Sequence, residues 1–178
     1  MRWLLVLASA VVLAVILMGS ILPSNPISPK VTAQSTTAKI YFVDIGQGAG
    51  TLIVSPTGKT LLVDGGPNGG GTTKLIPLLN TLGISTIDFT VVTHYHIDHI
   101  VGITEVLNAN RVAGIAYDNG DGVNVVPPNP GGTLTAFNTY KTATNRPGVT
   151  RQQILPGTVI DLGGGMRAVE TYKVMALY

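Results

Sequence analysis

All three histidines of this 178-residue chain fall within six residues, in "THYHIDHIVG" from Thr93 to Gly102. His94, His96 and His99 share that stretch with a single carboxylate, Asp98. The chain has no cysteine, which excludes disulfides, a thiol nucleophile and thiolate ligands, so any metal site must use nitrogen and oxygen donors. His94 and His96 stand two residues apart, and an extended backbone points both side chains the same way. They can share one ion. Asp98 and His99 follow where the chain turns, and can offer an oxygen and a nitrogen to a second ion beside the first. A polar turn with solvated histidines is the ordinary reading of one imidazole; three with an aspartate between strand and helix point to a metal site. The chemistry of such a site is hydrolysis by an ion-activated water attacking a phosphorus or carbonyl centre, with Asp98 the candidate catalytic residue to orient that water. The spacing suits two neighbouring divalent ions, manganese among those compatible with nitrogen and oxygen donors.

Two glycine-rich stretches look like phosphate loops and are read otherwise. "GQGAG" (Gly46 to Gly50) leads into a strand, so no helix N-terminus would face a phosphate. "GPNGGGTTK" (Gly66 to Lys74) has Thr72 where the lysine of a nucleotide-binding loop must stand. Both are expected to be tight turns.

The elements that must position the histidine bend follow from periodicity. Strands are expected at Lys39 to Ile45, Thr51 to Ser55 and Thr60 to Asp64, with "PTGK" turning the second into the third. Leu75, Ile76, Leu78, Leu79 and Leu82 predict a helix over Thr72 to Gly83, with Gly83 at its C-terminal cap and Pro77 opposing its early turns. "IDFTVVT" (Ile87 to Thr93) is nearly uniformly apolar, as a strand covered on both faces would be, and delivers the bend at its C-terminal end. Beyond it, Ile100, Ile103 and Leu107 predict a helix from Asp98 to Asn108. A strand is expected at Arg111 to Tyr117 and a loop from Asp118 to Gly132, the candidate substrate wall. A weaker helix then spans Leu134 to Asn145, and short strands follow at Gln152 to Leu155, Thr158 to Leu162 and Met166 to Tyr172.

The N-terminus is a separate object. Trp3 to Leu22 is apolar except for Ser9, Gly19 and Ser20 and follows the lone charge of Arg2. At ~20 residues it is long enough to span a bilayer as a retained anchor. Val31 and Ala33 also fit an export signal cleaved after Ala33. Both readings put the remainder outside the cytoplasm, secreted or anchored at the membrane. Residues 1–22 are thus signal or anchor, 23–37 a spacer rich in Pro, Ser and Thr, and 38–178 the folded domain. Arg2 and Lys30 lie in the N-terminal part, and the basic and acidic side chains of the rest balance. No basic footprint for long nucleic acid is present, so a small molecule is the expected partner. Oligomeric state has no signature here.

"YFVDIGQGAGTLIVSPTGKTLLVDGG", "LLNTLGISTIDFTVVTHYHIDHIVG" and "GTVIDLGGGMRAVE" together resemble the N-terminal half of a metallo-β-lactamase-fold hydrolase, in the branch of the ComEC-type competence proteins' external domain and related secreted hydrolases. The resemblance covers most of Lys39 to Glu170, and its "THxHxDHxxG" element is highly diagnostic. It implies an α/β fold, a layered αββα sandwich, binding one or two zinc ions. His94 and His96 match ligands of the first ion, Asp98 and His99 those of the second, and Asp64 a carboxylate that supports a ligand from behind. Ala49 departs from the acidic residue usual in that branch, and Tyr95, Ile97 and Val101 replace proline, alanine and glycine without touching a ligand position. The fold's second half is expected after Tyr172 and is absent from "TYKVMALY", so the sequence is read as carrying the first half only, as a truncated or frame-shifted chain would. A fragment that binds metal weakly without turnover is the alternative expectation.

Overall fold

The computed structural model describes residues 37–121 and 133–171. Six strands form one sheet in the order of the chain: β1 (Lys39–Phe42), β2 (Thr51–Val54), β3 (Thr60–Val63), β4 (Ile87–Val91), β5 (Val112–Asp118) and β6 (Val149–Gln153). The first three run antiparallel through short turns; β3 to β6 run parallel and are joined by helical crossovers. Those crossovers are α1 (Ile76–Thr81), α2 (Ile97–Asn108) and α3 (Thr133–Thr144). A separate antiparallel pair, β7 (Val159–Asp161) with β8 (Arg167–Val169), makes a second, small sheet.

Strand alternation sorts the side chains into two cores. Leu52 and Leu62 point to the helical face, where Leu79 of α1, Ile100, Ile103 and Leu107 of α2, and Phe137 and Tyr140 of α3 close around them. Leu61 and Val91 point to the opposite face, against Ile160 and Leu162 around the small sheet. Helices, main sheet and second sheet are thus stacked in an α/β layered arrangement. Each fully buried Val, Leu or Ile is worth about 1.5–3 kcal/mol of apolar transfer, and α2, with four such side chains (Ile100, Ile103, Val106 and Leu107), is among the most firmly seated elements.

The helix expected over Thr72 to Gly83 forms, with one difference: its first turn, Gly70–Leu75, is π-helical before α1 proper. Pro77, in the first turn of α1, has no N–H to donate, so the preceding turn closes with wider bonding. Both long-range helix stops have a physical reason. Gly83 (φ 69°) and Asn110 (φ 56°) are left-handed, and the residue after each donates back into the helix, Ile84 to the Leu79 carbonyl and Arg111 to that of Val106. The expected strand at Gln152 to Leu155 lies earlier, as β6 from Val149. It is the outermost parallel strand and is mostly polar, so no apolar alternation marks its start. The signal or anchor segment, the spacer up to residue 36, the Gly122 to Gly132 part of the candidate substrate wall and the terminal "YKVMALY" lie outside the described residues.

Candidate metal centre

The bend sits where β4 ends and α2 begins, at the carboxyl edge of the parallel strands, where sites of layered α/β folds collect. His96 is the extended residue that caps α2 (φ −65°, ψ 147°), and Asp98 lies in the helix's first turn, where the positive end of the dipole favours a carboxylate. The structure brings together all four predicted residues. The His94 ring centroid lies 4.8 Å from that of His96 and 3.9 Å from that of His99, and the His99 Nε2 is 3.9 Å from an Asp98 oxygen. All four are half-buried.

Asp64 organises this group from beneath. It is buried at the end of β3, in a left-handed conformation (φ 57°) that aspartate tolerates better than most residues. One carboxylate oxygen accepts the Thr93 backbone N–H at 2.9 Å. The other accepts the Thr93 hydroxyl at 2.7 Å and the His99 Nδ1–H at 2.8 Å. A carboxylate only accepts, so the His99 proton resides on Nδ1 and its Nε2 lone pair faces away from Asp64. The Thr93 hydroxyl has one hydrogen and spends it on Asp64; its 3.0 Å contact with His94 Nδ1 must then be donated by the imidazole. Asp64 therefore sets the tautomer of two histidines, one directly and one through Thr93, and leaves both Nε2 atoms as acceptors. Burial, and then the neighbouring His99, lower the His94 pKa and keep it in the neutral form that binds metal. The hydrogen bond from Asp64 raises that of His99.

The glycine turns serve the same bend. Gly48 of "GQGAG" lies so close to α2 that a Cβ there would fall 1.8 Å from the Asp98 carbonyl oxygen, and the Gln47 amide lies 3.5 Å from the Asp98 carboxylate. Gly65 and Gly102 face one another: Gly65 N–H donates to the His99 carbonyl and Gly102 N–H to that of Gly66, each at 2.9 Å. The second glycine-rich stretch, Gly66 to Lys74, is filled from within the chain. Glu105 of α2 accepts from Gly69 N–H at 2.6 Å and Thr72 N–H at 2.8 Å, so an anion already occupies the place a phosphate would take. Sequence reasoning passed over Thr93, Glu105 and the facing glycines; the glycine in "HIVG", inside an otherwise apolar helical run, is the one visible sign of a close approach.

Among the described residues, no three His, Asp or Glu side chains converge in full metal-holding geometry. The four are neighbours without being arranged as ligands. Their chemistry nonetheless fits a divalent cation: imidazoles with Nδ1 engaged, Nε2 turned away from those partners on His94 and His99, and a carboxylate beside them.

The metallo-β-lactamase superfamily model matches residues 43–125, a segment that contains Asp64, the bend and the glycine turns. A UPF0173 metal-dependent hydrolase of Polynucleobacter asymbioticus is 31% identical over 102 residues, 57% of this chain and 34% of that protein. The chain thus spans about a third of the length of that curated relative. MEM-A1, a subclass B3 metallo-β-lactamase isolated from a soil metagenome library, superposes with a TM-score of 0.51 at 19% identity, covering 79% of this chain and 53% of that one. The fold is metallo-β-lactamase-like, as the motifs imply.

Proposed function

We propose that this chain belongs to an exported, zinc-dependent hydrolase that acts on phosphodiester substrates, or on related esters and amides, within the branch of the ComEC-type external domains. The observation that carries the reading is the bend itself: three imidazoles and a carboxylate in six residues, with Asp64 fixing two ring tautomers beneath them. A divalent cation held by His94, His96, Asp98 and His99 would make water nucleophilic near neutral pH and neutralise charge developing on the substrate. The chain's own contribution is orientation. Asp98 is half-exposed at the start of α2, near Gln47 and His99, where its carboxylate can orient a water or take up its proton. The neutral balance of charge outside the N-terminal segment favours a small substrate over long nucleic acid, and that segment supports export.

A second reading is a metal-binding module without turnover. It is favoured by arithmetic of donors: a catalytic zinc keeps three protein ligands and a water, and these four side chains cannot supply that to two ions. Metal analysis of the full-length protein separates both readings from a site that binds nothing. Wild type is expected to retain zinc through gel filtration, and His96→Ala to bind at least about tenfold more weakly; equal metal content in the two would dismiss the bend as a site. Hydrolysis of bis(p-nitrophenyl) phosphate by the zinc-loaded protein, with a cephalosporin reporter in parallel, then distinguishes phosphodiesterase, lactamase and silent module.

A further inference from the structure

Tyr95 stands between the first two histidines and points the opposite way, as strand alternation requires. It is fully buried in the helical core, its ring centroid 4.4 Å from that of Phe137. Packing alone would be satisfied by an apolar residue. Its hydroxyl, however, lies 3.0 Å from the Asp118 carboxylate and 2.8 Å from the Gly120 carbonyl, two acceptors for one proton. Asp118 ends β5 and has no exposed surface. The same carboxylate accepts Gly120 N–H at 2.7 Å and two guanidinium N–H groups of Arg151, at 2.6 and 2.9 Å, from the neighbouring β6. Arg151 in turn pairs with Asp121 at 3.0 Å and lies over the Phe137 ring.

We propose that Tyr95, held by Asp118 and through it by Arg151, is a positioning residue for the metal bend, tying the backbone between His94 and His96 to the carboxyl end of β5 and, beyond it, to β6. Asp118 is fully buried and Arg151 partly so; a pair of this kind is seldom the most stabilising way to fill a core, and in some proteins it specifies one arrangement instead. Asp64 sets the histidine rings from one side of the strand; the Tyr95 hydroxyl anchors the intervening residue from the other. Tyr95 touches no donor atom of the site, so its effect must appear as metal affinity and coordination geometry without direct ligation.

This inference rests on the metal-binding reading above, and its test keeps the two apart. Full-length wild type, Tyr95→Phe and Arg151→Gln would be titrated with zinc, substituted with cobalt(II) for visible spectroscopy, and melted without metal. Tyr95→Phe retains the ring packing and is expected to lose about tenfold or more in zinc affinity, the range typical of groups that orient ligands, with altered cobalt bands and a melting temperature within a few degrees of wild type. Arg151→Gln should shift affinity and bands in the same direction. A wild type that ignores zinc would overturn the functional reading. A wild type that binds it, with Tyr95→Phe matching its affinity and cobalt spectrum, would overturn this one. Should Tyr95→Phe not fold, Arg151→Gln decides by the same two readouts.

Discussion

Gly102→Ala offers the sharpest test of how the bend is held, because two principles predict opposite signs. Gly102 lies inside α2, and by helix propensity alone alanine should stabilise by about 1 kcal/mol. Its Cβ, however, would sit 1.7 Å from the Gly65 carbonyl oxygen and 2.4 Å from the carbonyl carbon, and both belong to backbone that cannot rotate aside. Carbon atoms rest about 3.5–4.0 Å apart, so the helix and the end of β3 must separate by more than about 1 Å. That displacement strains both hydrogen bonds between them, Gly65 to the His99 carbonyl and Gly102 to the Gly66 carbonyl. Each is worth about 1 kcal/mol, and overpacking of this kind costs a further 1–3 kcal/mol or so. Net of propensity, the loss is about 2–4 kcal/mol, which for a domain of this size lowers Tm by roughly 5–15 °C. Differential scanning calorimetry of the metal-free full-length protein measures it. The same separation draws His99 from Asp64, so zinc affinity should fall as well. A Tm equal to wild type or above it would refute the reasoning, since propensity would then have won over contact.

Asp64→Asn keeps the left-handed turn accessible but replaces one acceptor oxygen with an amide, which faces the Thr93 hydroxyl and His99 or the Thr93 N–H whichever way it is turned. Zinc affinity is expected to drop about 10- to 100-fold by isothermal titration, and an unchanged affinity would show that ring tautomers are set elsewhere. Arg111→Met provides the contrasting case. Arg111 donates to the Ser85 and Ile84 carbonyls and the Asn80 side chain at 2.6–2.7 Å, far in sequence from the bend, so urea unfolding should register a loss of about 2 kcal/mol while zinc affinity stays at the wild-type value. Coupled loss of both would mean that α1 and the bend respond as one unit.

The donor cluster was readable because its chemistry is written in consecutive residues: spacing alone placed His94 and His96 on one side of a strand end. The elements around it were readable for a related reason. β4 and α2 are buried on most sides, so their apolar residues follow the period of their backbone closely. β6 was misplaced at its start because an outer strand with polar side chains has no such pattern. The partners of the bend were less visible, since each joins residues far apart in the chain: Asp64 with His99, Asp118 with Tyr95, Arg151 with Asp118. Asp64 emerged through the family resemblance, whereas Tyr95 was passed over because it occupies no ligand position. The π-helical start of the first helix had only Pro77 to announce it.

In the main sheet, the spatial order of strands repeats the order in which a ribosome would release them. Each strand that emerges meets a neighbour already made, and no strand waits for a partner from a distant part of the message. Pairing between sequence neighbours keeps loop closure inexpensive and folding fast. Asp64 is in place before the histidines arrive, and Arg151 follows after them. The bend can therefore take its shape in two steps during synthesis, first oriented from the strand behind it and then locked by the strand ahead.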